Sequence, residues 1–249
     1  MSAILSVQGL SIQFGALKAV QNVSFEAQTG RITAVIGPNG AGKSSLFNLI
    51  SGAIRPTAGS VRFDGRDVTG QAPHQLLGSG LSRSFQITHL FFELSVRENL
   101  RLAAQFLEGG RGLFRPLACS TTASQRVDEL LGQFDLRAKA EELAGYLSHG
   151  EQRRLEIAVS LASRPRMLLL DEPTQGMSHS DTRETEALIR SLSRDHGLSI
   201  LLVEHDVDLV MQLSDHVVVM HQGQKLAEGT PAEVRANPAV QTAYFGEKH

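Results

Sequence analysis

Apolar and polar positions alternate in short stretches through residues 4–30: Ile4-Leu5-Ser6-Val7, Leu10-Ser11-Ile12-Gln13-Phe14 and Val23-Ser24-Phe25-Glu26. A period of two puts one face of a strand in a core and the other in water. Gly9, Gly15 and Gly30 punctuate these stretches, and Val61-Arg62-Phe63-Asp64-Gly65 continues the style. An antiparallel sheet is therefore predicted near the N-terminus. Ile32-Thr33-Ala34-Val35-Ile36 reads as a buried strand, and Ser44 to Ile50 is compatible with a helix. From about residue 92 to 163 the period changes. Val127, Leu130, Leu131 and Phe134 recur at i, i+3, i+4, i+7, one face of a helix, and Leu155, Ala158, Val159 and Ala162 do the same. Strand-like runs return at 167–170, 199–203 and 217–220, with a helical stretch from Thr182 to Arg194 between the first two. Strands separated by helices predict an α/β fold around a mostly parallel sheet.

Composition narrows the class. The 249 residues suffice for one large domain or two small ones. A formal net charge of −2 gives no global basic field, so no nucleic-acid partner is expected. Cys119 is the single cysteine, which excludes an internal disulfide and fits a reducing compartment. Met1 to Ser6 carries neither a basic stretch nor a long apolar core, so no secretory signal is expected. The longest apolar runs are far too short to cross a bilayer, and any membrane role must come through a partner. Gly109 to Pro116 holds glycines, a proline and two arginines but no acid, and reads as a mobile, solvated loop.

The chemistry begins at Gly37-Pro38-Asn39-Gly40-Ala41-Gly42-Lys43-Ser44, which satisfies every fixed position of G-x-x-x-x-G-K-[ST] between a strand and a helix. Glycines let the backbone wrap a phosphate, and the helix N-terminus favours negative charge. Lys43 is expected to reach the β- and γ-phosphates of a bound nucleotide, Ser44 to meet Mg²⁺, and Ser45 to belong to the same nucleotide-binding stretch. Met167-Leu168-Leu169-Leu170-Asp171-Glu172 is a buried strand ending in two acids, where parallel sheets bind ligands. Asp171 is placed to hold the hydration shell of Mg²⁺, and Glu172 to polarise a water. Ser148 and Glu151 form a capping box ahead of a helix from Arg153 to Ser163, an anion-binding N-terminus. His205 follows the strand Ser199 to Glu204. The histidines show no metal-ligand spacing, and no zinc site is expected.

The phosphate loop, Gln86, Leu147-Ser148-His149-Gly150-Glu151, the Asp171-Glu172 strand and His205 together resemble the ordered motif set of ABC-type ATPases. The resemblance spans nearly the whole chain. It implies a P-loop core at 1–88 and 164–229, a helical subdomain at 89–163 and a C-terminal tail at 230–249. It implies head-to-tail pairing with a second ATPase subunit, identical or paralogous, so that Ser148, Gly150 and Glu151 serve the partner's ATP. Gln86 becomes a ligand near Mg²⁺ and water, and His205 the residue that contacts the γ-phosphate and orients the water. Phe14 stands where the family places its adenine-stacking aromatic, the alternative being a core aromatic on an edge strand. Ser178 departs from the family's usual acid.

Ser84-Phe85-Gln86 with Leu90-Phe91, Gly150 to Ala158, and Ala243-Tyr244-Phe245-Gly246-Glu247 resemble the larger ATPase type of branched-chain amino acid importers. The partners so implied are transmembrane permease subunits and, indirectly, a periplasmic or extracellular solute-binding protein. The implied location is peripheral, on the cytoplasmic face of the inner membrane. A lipopolysaccharide-exporter ATPase is a near relative, and a soluble ABC ATPase of DNA repair or translation is the alternative from another class.

Overall fold

The computed structural model describes residues 2–83, 90–108 and 121–245. The N-terminal alternation folds as two twelve-residue strands, β1 (Ala3–Phe14) and β2 (Leu17–Gln28). Gly9 does not break β1 as its punctuation suggested. It takes φ 58, and the register with β2 shifts between Val7 and Leu10, so the glycine makes a bulge inside a continuous strand. With β4 (Ala58–Phe63) and β5 (Arg66–Asp67), these strands form an antiparallel sheet in the order β2-β1-β4-β5.

The second sheet has the order β10-β9-β3-β8-β7-β6. Its strands are β3 (Ile32–Ile36), β6 (Leu81–Arg83), β7 (Met167–Asp171), β8 (Ser199–Val203), β9 (His216–His221) and β10 (Gln224–Gly229). From β9 to β6 every pair is parallel, and β10 joins β9 antiparallel. Both faces of this sheet are buried, as its unbroken apolar strands require. Leu168, Leu170, Ile200 and Leu202 point into one core, packed by helices α3 (Val96–Ala104), α4 (Thr121–Gln133), α5 (His149–Leu161), α6 (His179–Arg194) and α7 (Val207–Leu213). Met167, Leu169, Leu201 and Val203 point into the other, shared with the antiparallel sheet, α1 (Lys43–Ile50) and α2 (Pro73–Ser79). The chain closes with α8 (Pro231–Ala236) and α9 (Pro238–Phe245), whose Val234 and Val240 join the first core.

Register, not sequence proximity, assembles the site. Val35 of β3 and Asp171 of β7 both pair with Val203 of β8. The strands run parallel, so the residues that follow each emerge side by side at one edge of the sheet.

Candidate active site

At the end of β3 the chain turns through residues 37–42 into α1. Gly42 takes φ 96, and a Cβ there would lie 2.3 Å from the Ala19 carbonyl oxygen. A Cβ on Gly37 would lie 2.2 Å from that of Met220. Both approaches exclude any larger residue. The loop is pinned from outside by Gly223, whose N–H donates to the Ala41 carbonyl. No side chain caps α1, and its first turn holds no acid. Its first N–H groups and the positive end of its dipole are therefore left for an anion. Lys43 is buried and donates from Nζ to the Gly37 carbonyl at 2.7 Å and that of Pro38 at 3.2 Å. Burial lowers its pKa, opposed by the negative charges of Glu172 and Asp171. Ser44 is exposed at the start of the helix.

Asp171 ends β7 and is buried. Its Oδ2 accepts from Arg83 Nη2 at 3.0 Å, while Oδ1 is buried without a hydrogen-bond partner. Desolvation pushes this carboxyl up, and the Arg83 charge pulls it back. A buried carboxylate oxygen left over in this way fits a hydrated cation, so the residues present suit Mg²⁺.

Glu172 follows in a left-handed conformation, φ 46, with its N–H donating to the Val203 carbonyl at 2.9 Å. A non-glycine residue in this region costs about 1–3 kcal/mol, and such strain gathers at functional positions. The turn aims the side chain at β8, where Glu172 Oε1 lies 2.5 Å from His205 Nε2. The carboxylate is almost fully buried, whereas the imidazole is about half exposed. Glu204, also buried, ties the two segments together. Its Oε1 accepts from the Thr174 N–H and hydroxyl, and its Oε2 from the His205 N–H.

The expected capping box is present. Ser148 Oγ accepts from the Glu151 N–H at 3.3 Å, and Glu151 Oε2 accepts from the Ser148 N–H at 2.8 Å. That second bond holds the Glu151 carboxyl below the usual range. Capped at Ser148, α5 starts at His149 rather than the anticipated Arg153. Ser148 and His149 are exposed. A small cleft beyond them is lined by His149, Arg153, Asp171, Glu172 and Gln175. Ser178 caps α6, accepting from the Asp181 N–H and donating to its carboxylate at 2.7 Å.

Phe14 is half exposed at 50%, which rules out a core aromatic. It pairs with Leu17, two residues before the Ala19 that packs on the phosphate loop. Gln86 and the 109–116 loop lie outside the described residues. Arg83 and Glu204 escaped the sequence reading. An arginine ending Leu81-Ser82-Arg83 has no periodicity to mark it, and Glu204 was read only as the polar end of a strand.

Parallel strand ends converging on one phosphate loop define a P-loop nucleotide-binding cassette. The chain matches the ABC transporter family over residues 20–175 and, over 224–249, the family described as branched-chain amino acid ATP-binding cassette transporter. It is 41% identical to the high-affinity branched-chain amino acid transport ATP-binding protein BraF of Pseudomonas aeruginosa, covering 98% of both chains. It is likewise 41% identical to LivG of Escherichia coli K12, so named for the same transport, with 98% of each covered. The crystal structure of MJ1267 in its ADP conformation, an ATP-binding cassette of an ABC transporter, superposes with a TM-score of 0.86 at 31% identity, covering 99% of this chain and 100% of that one. The chain belongs to the ABC transporter family, as an ATP-binding and ATP-hydrolysing subunit.

Proposed function

We propose that this subunit drives import of branched-chain amino acids or related small polar solutes through separate permease subunits. The observation that carries this reading is the presence in one chain of the close Glu172–His205 pair and a C-terminal segment of the branched-chain cassette type. Among the described residues, no helix is long and apolar enough to cross a membrane, so coupling to transport requires a membrane partner. The work is divided between a core at 1–88 and 164–229, a helical subdomain at 89–163 and a tail at 230–249. The subunit acts peripherally at the cytoplasmic face of the inner membrane.

Lys43 and the loop N–H groups bind the phosphates, Phe14 stacks on the adenine, and Ser45 belongs to the same cradle. Ser44, Asp171 and Gln86 hold Mg²⁺, which when bound neutralises charge on the β- and γ-phosphates. Glu172 takes a proton from the attacking water, and His205 orients that water. Little covalent chemistry is asked of the protein, and positioning and charge stabilisation supply most of the rate. The exposed capping box at Ser148, with Gly150 and Glu151, faces the ATP of a second ATPase subunit in a head-to-tail dimer.

Reconstitution in proteoliposomes with the permease subunits and solute-binding protein tests the reading. ATP turnover should rise when the binding protein carries a branched-chain amino acid. Stimulation by lipopolysaccharide, or by DNA or ribosomes without any permease, would overturn it.

A further inference from the structure

Arg83 closes β6, the three-residue edge strand of the parallel sheet, and its side chain turns inward with 15% exposure. Nη1 donates to Asn48 Oδ1 at 2.7 Å and Ser51 Oγ at 2.8 Å, both at the far end of α1. Nη2 donates to Asp171 Oδ2 at 3.0 Å. The guanidinium carbon lies 4.8 Å from the centroid of the Phe47 ring, a cation–π approach from the same helix. One side chain thus joins three elements: the edge strand, the helix that opens with Lys43 and Ser44, and the strand that ends in Asp171.

Stability is a poor reason for this arrangement. A buried ion pair loses most of its Coulombic gain to desolvation, and an apolar replacement often does as well. What an apolar side chain cannot do is orient a carboxylate. The planar guanidinium holds Asp171 Oδ2 and α1 at once, a geometry that a lysine ammonium on a flexible stem does not reproduce. Engaging Oδ2 leaves Oδ1 as the oxygen without a partner. We infer that Arg83 is a positioning residue that sets which oxygen of Asp171 faces the cation, at a fixed distance from the helix that bears Ser44. The inference rests on Asp171 being an Mg²⁺ residue. It concerns the bound carboxylate's orientation and leaves the phosphate cradle untouched.

The test is binding of a fluorescent ATP analogue to the full chain, in chelator and across a Mg²⁺ titration. Arg83→Met should leave affinity in chelator unchanged and raise the Mg²⁺ concentration for the half-maximal effect about 10–100-fold, the usual cost of losing a partner that orients a metal ligand. Arg83→Lys should fall between that variant and the wild type, and it carries the test if Arg83→Met does not fold. Affinity reduced by the same factor with and without Mg²⁺ would mean a merely structural role and overturn the inference, as would a wild-type Mg²⁺ titration. Asp171→Asn separates the two levels. If it keeps the wild-type Mg²⁺ dependence, the assignment of Asp171 fails. If it loses that dependence while Arg83→Met keeps it, only the role of Arg83 fails.

Discussion

Glu172 Oε1 and His205 Nε2 lie 2.5 Å apart, although 33 residues separate them in the chain. Two features bring them together: the parallel register that sets Asp171 opposite Val203, and the left-handed backbone at Glu172. Glu204 holds the pair from behind through Thr174. The contact makes the carboxylate and the imidazole a single unit at the mouth of the phosphate loop.

Replacing Glu172 with Gln preserves shape and removes the proposed proton acceptor. ATP binding is expected to persist, and hydrolysis to slow by about 10²–10⁴-fold, the usual loss for a general base. The lost charge also favours closure, so an ATP-bound dimer is expected to accumulate in size-exclusion chromatography. Single-turnover measurement decides the matter, since an unchanged rate removes Glu172 from the base role.

Lys43→Ala should act on affinity itself. The loop N–H groups remain, but the cation poised on the Gly37 and Pro38 carbonyls is gone. Titration calorimetry with Mg·ATP should show greatly weakened binding without loss of fold. Retained wild-type affinity contradicts the assignment.

Ser148 separates a helix cap from a composite site. Ser148→Ala removes one capping bond and should cost about 1 kcal/mol of stability. Ser148→Arg should leave ATP bound at the variant's own phosphate loop while dimerisation and turnover fail. Normal turnover in that variant would leave the capping box structural only.

Tyr244 offers a pH readout from the last helix. Burial pushes its phenol up to about 12, and a hydrogen bond with the Gly37 backbone works the other way. The folded state thus holds this proton more tightly than the unfolded chain, whose tyrosines ionise near ~10. The associated stability is complete below the unfolded value and disappears as pH rises through the folded one. An ultraviolet titration should show a late tyrosinate step that Tyr244→Phe abolishes. The chain has only two tyrosines, so the step is assignable.

The parts of the fold that announced themselves were those with strong local signals. The apolar runs at 32–36, 167–170, 199–203 and 217–220 all became strands of the parallel sheet, because burial on both faces leaves no polar alternation to confuse them. The phosphate loop and the acid pair carried motif-level information. β6 and β10 were not anticipated. The first is three residues long, and the second alternates weakly as Gln224-Lys225-Leu226-Ala227-Glu228-Gly229. Gly9 misled because a glycine ending a strand and a glycine bulging within one look alike until the partner strand is known. Arg83 and Glu204 were invisible for a related reason: Arg83 acts through contacts to residues 32, 35 and 88 positions away, and Glu204 through Thr174, 30 positions away.

The uncapped start of α1 makes nucleotide a contributor to the fold's own free energy. Helices α3, α5, α6, α7 and α8 satisfy one of their first donors internally with Ser95, Ser148, Ser178, Asp206 and Thr230, but α1 has no such side chain. A ligand that fills this deficit and binds only the folded chain adds stability by mass action, about 2.7 kcal/mol at ~100 times its Kd. The melting temperature of this protein is therefore a function of nucleotide concentration, and a thermal shift series across ATP levels measures occupancy of the phosphate loop without any hydrolysis.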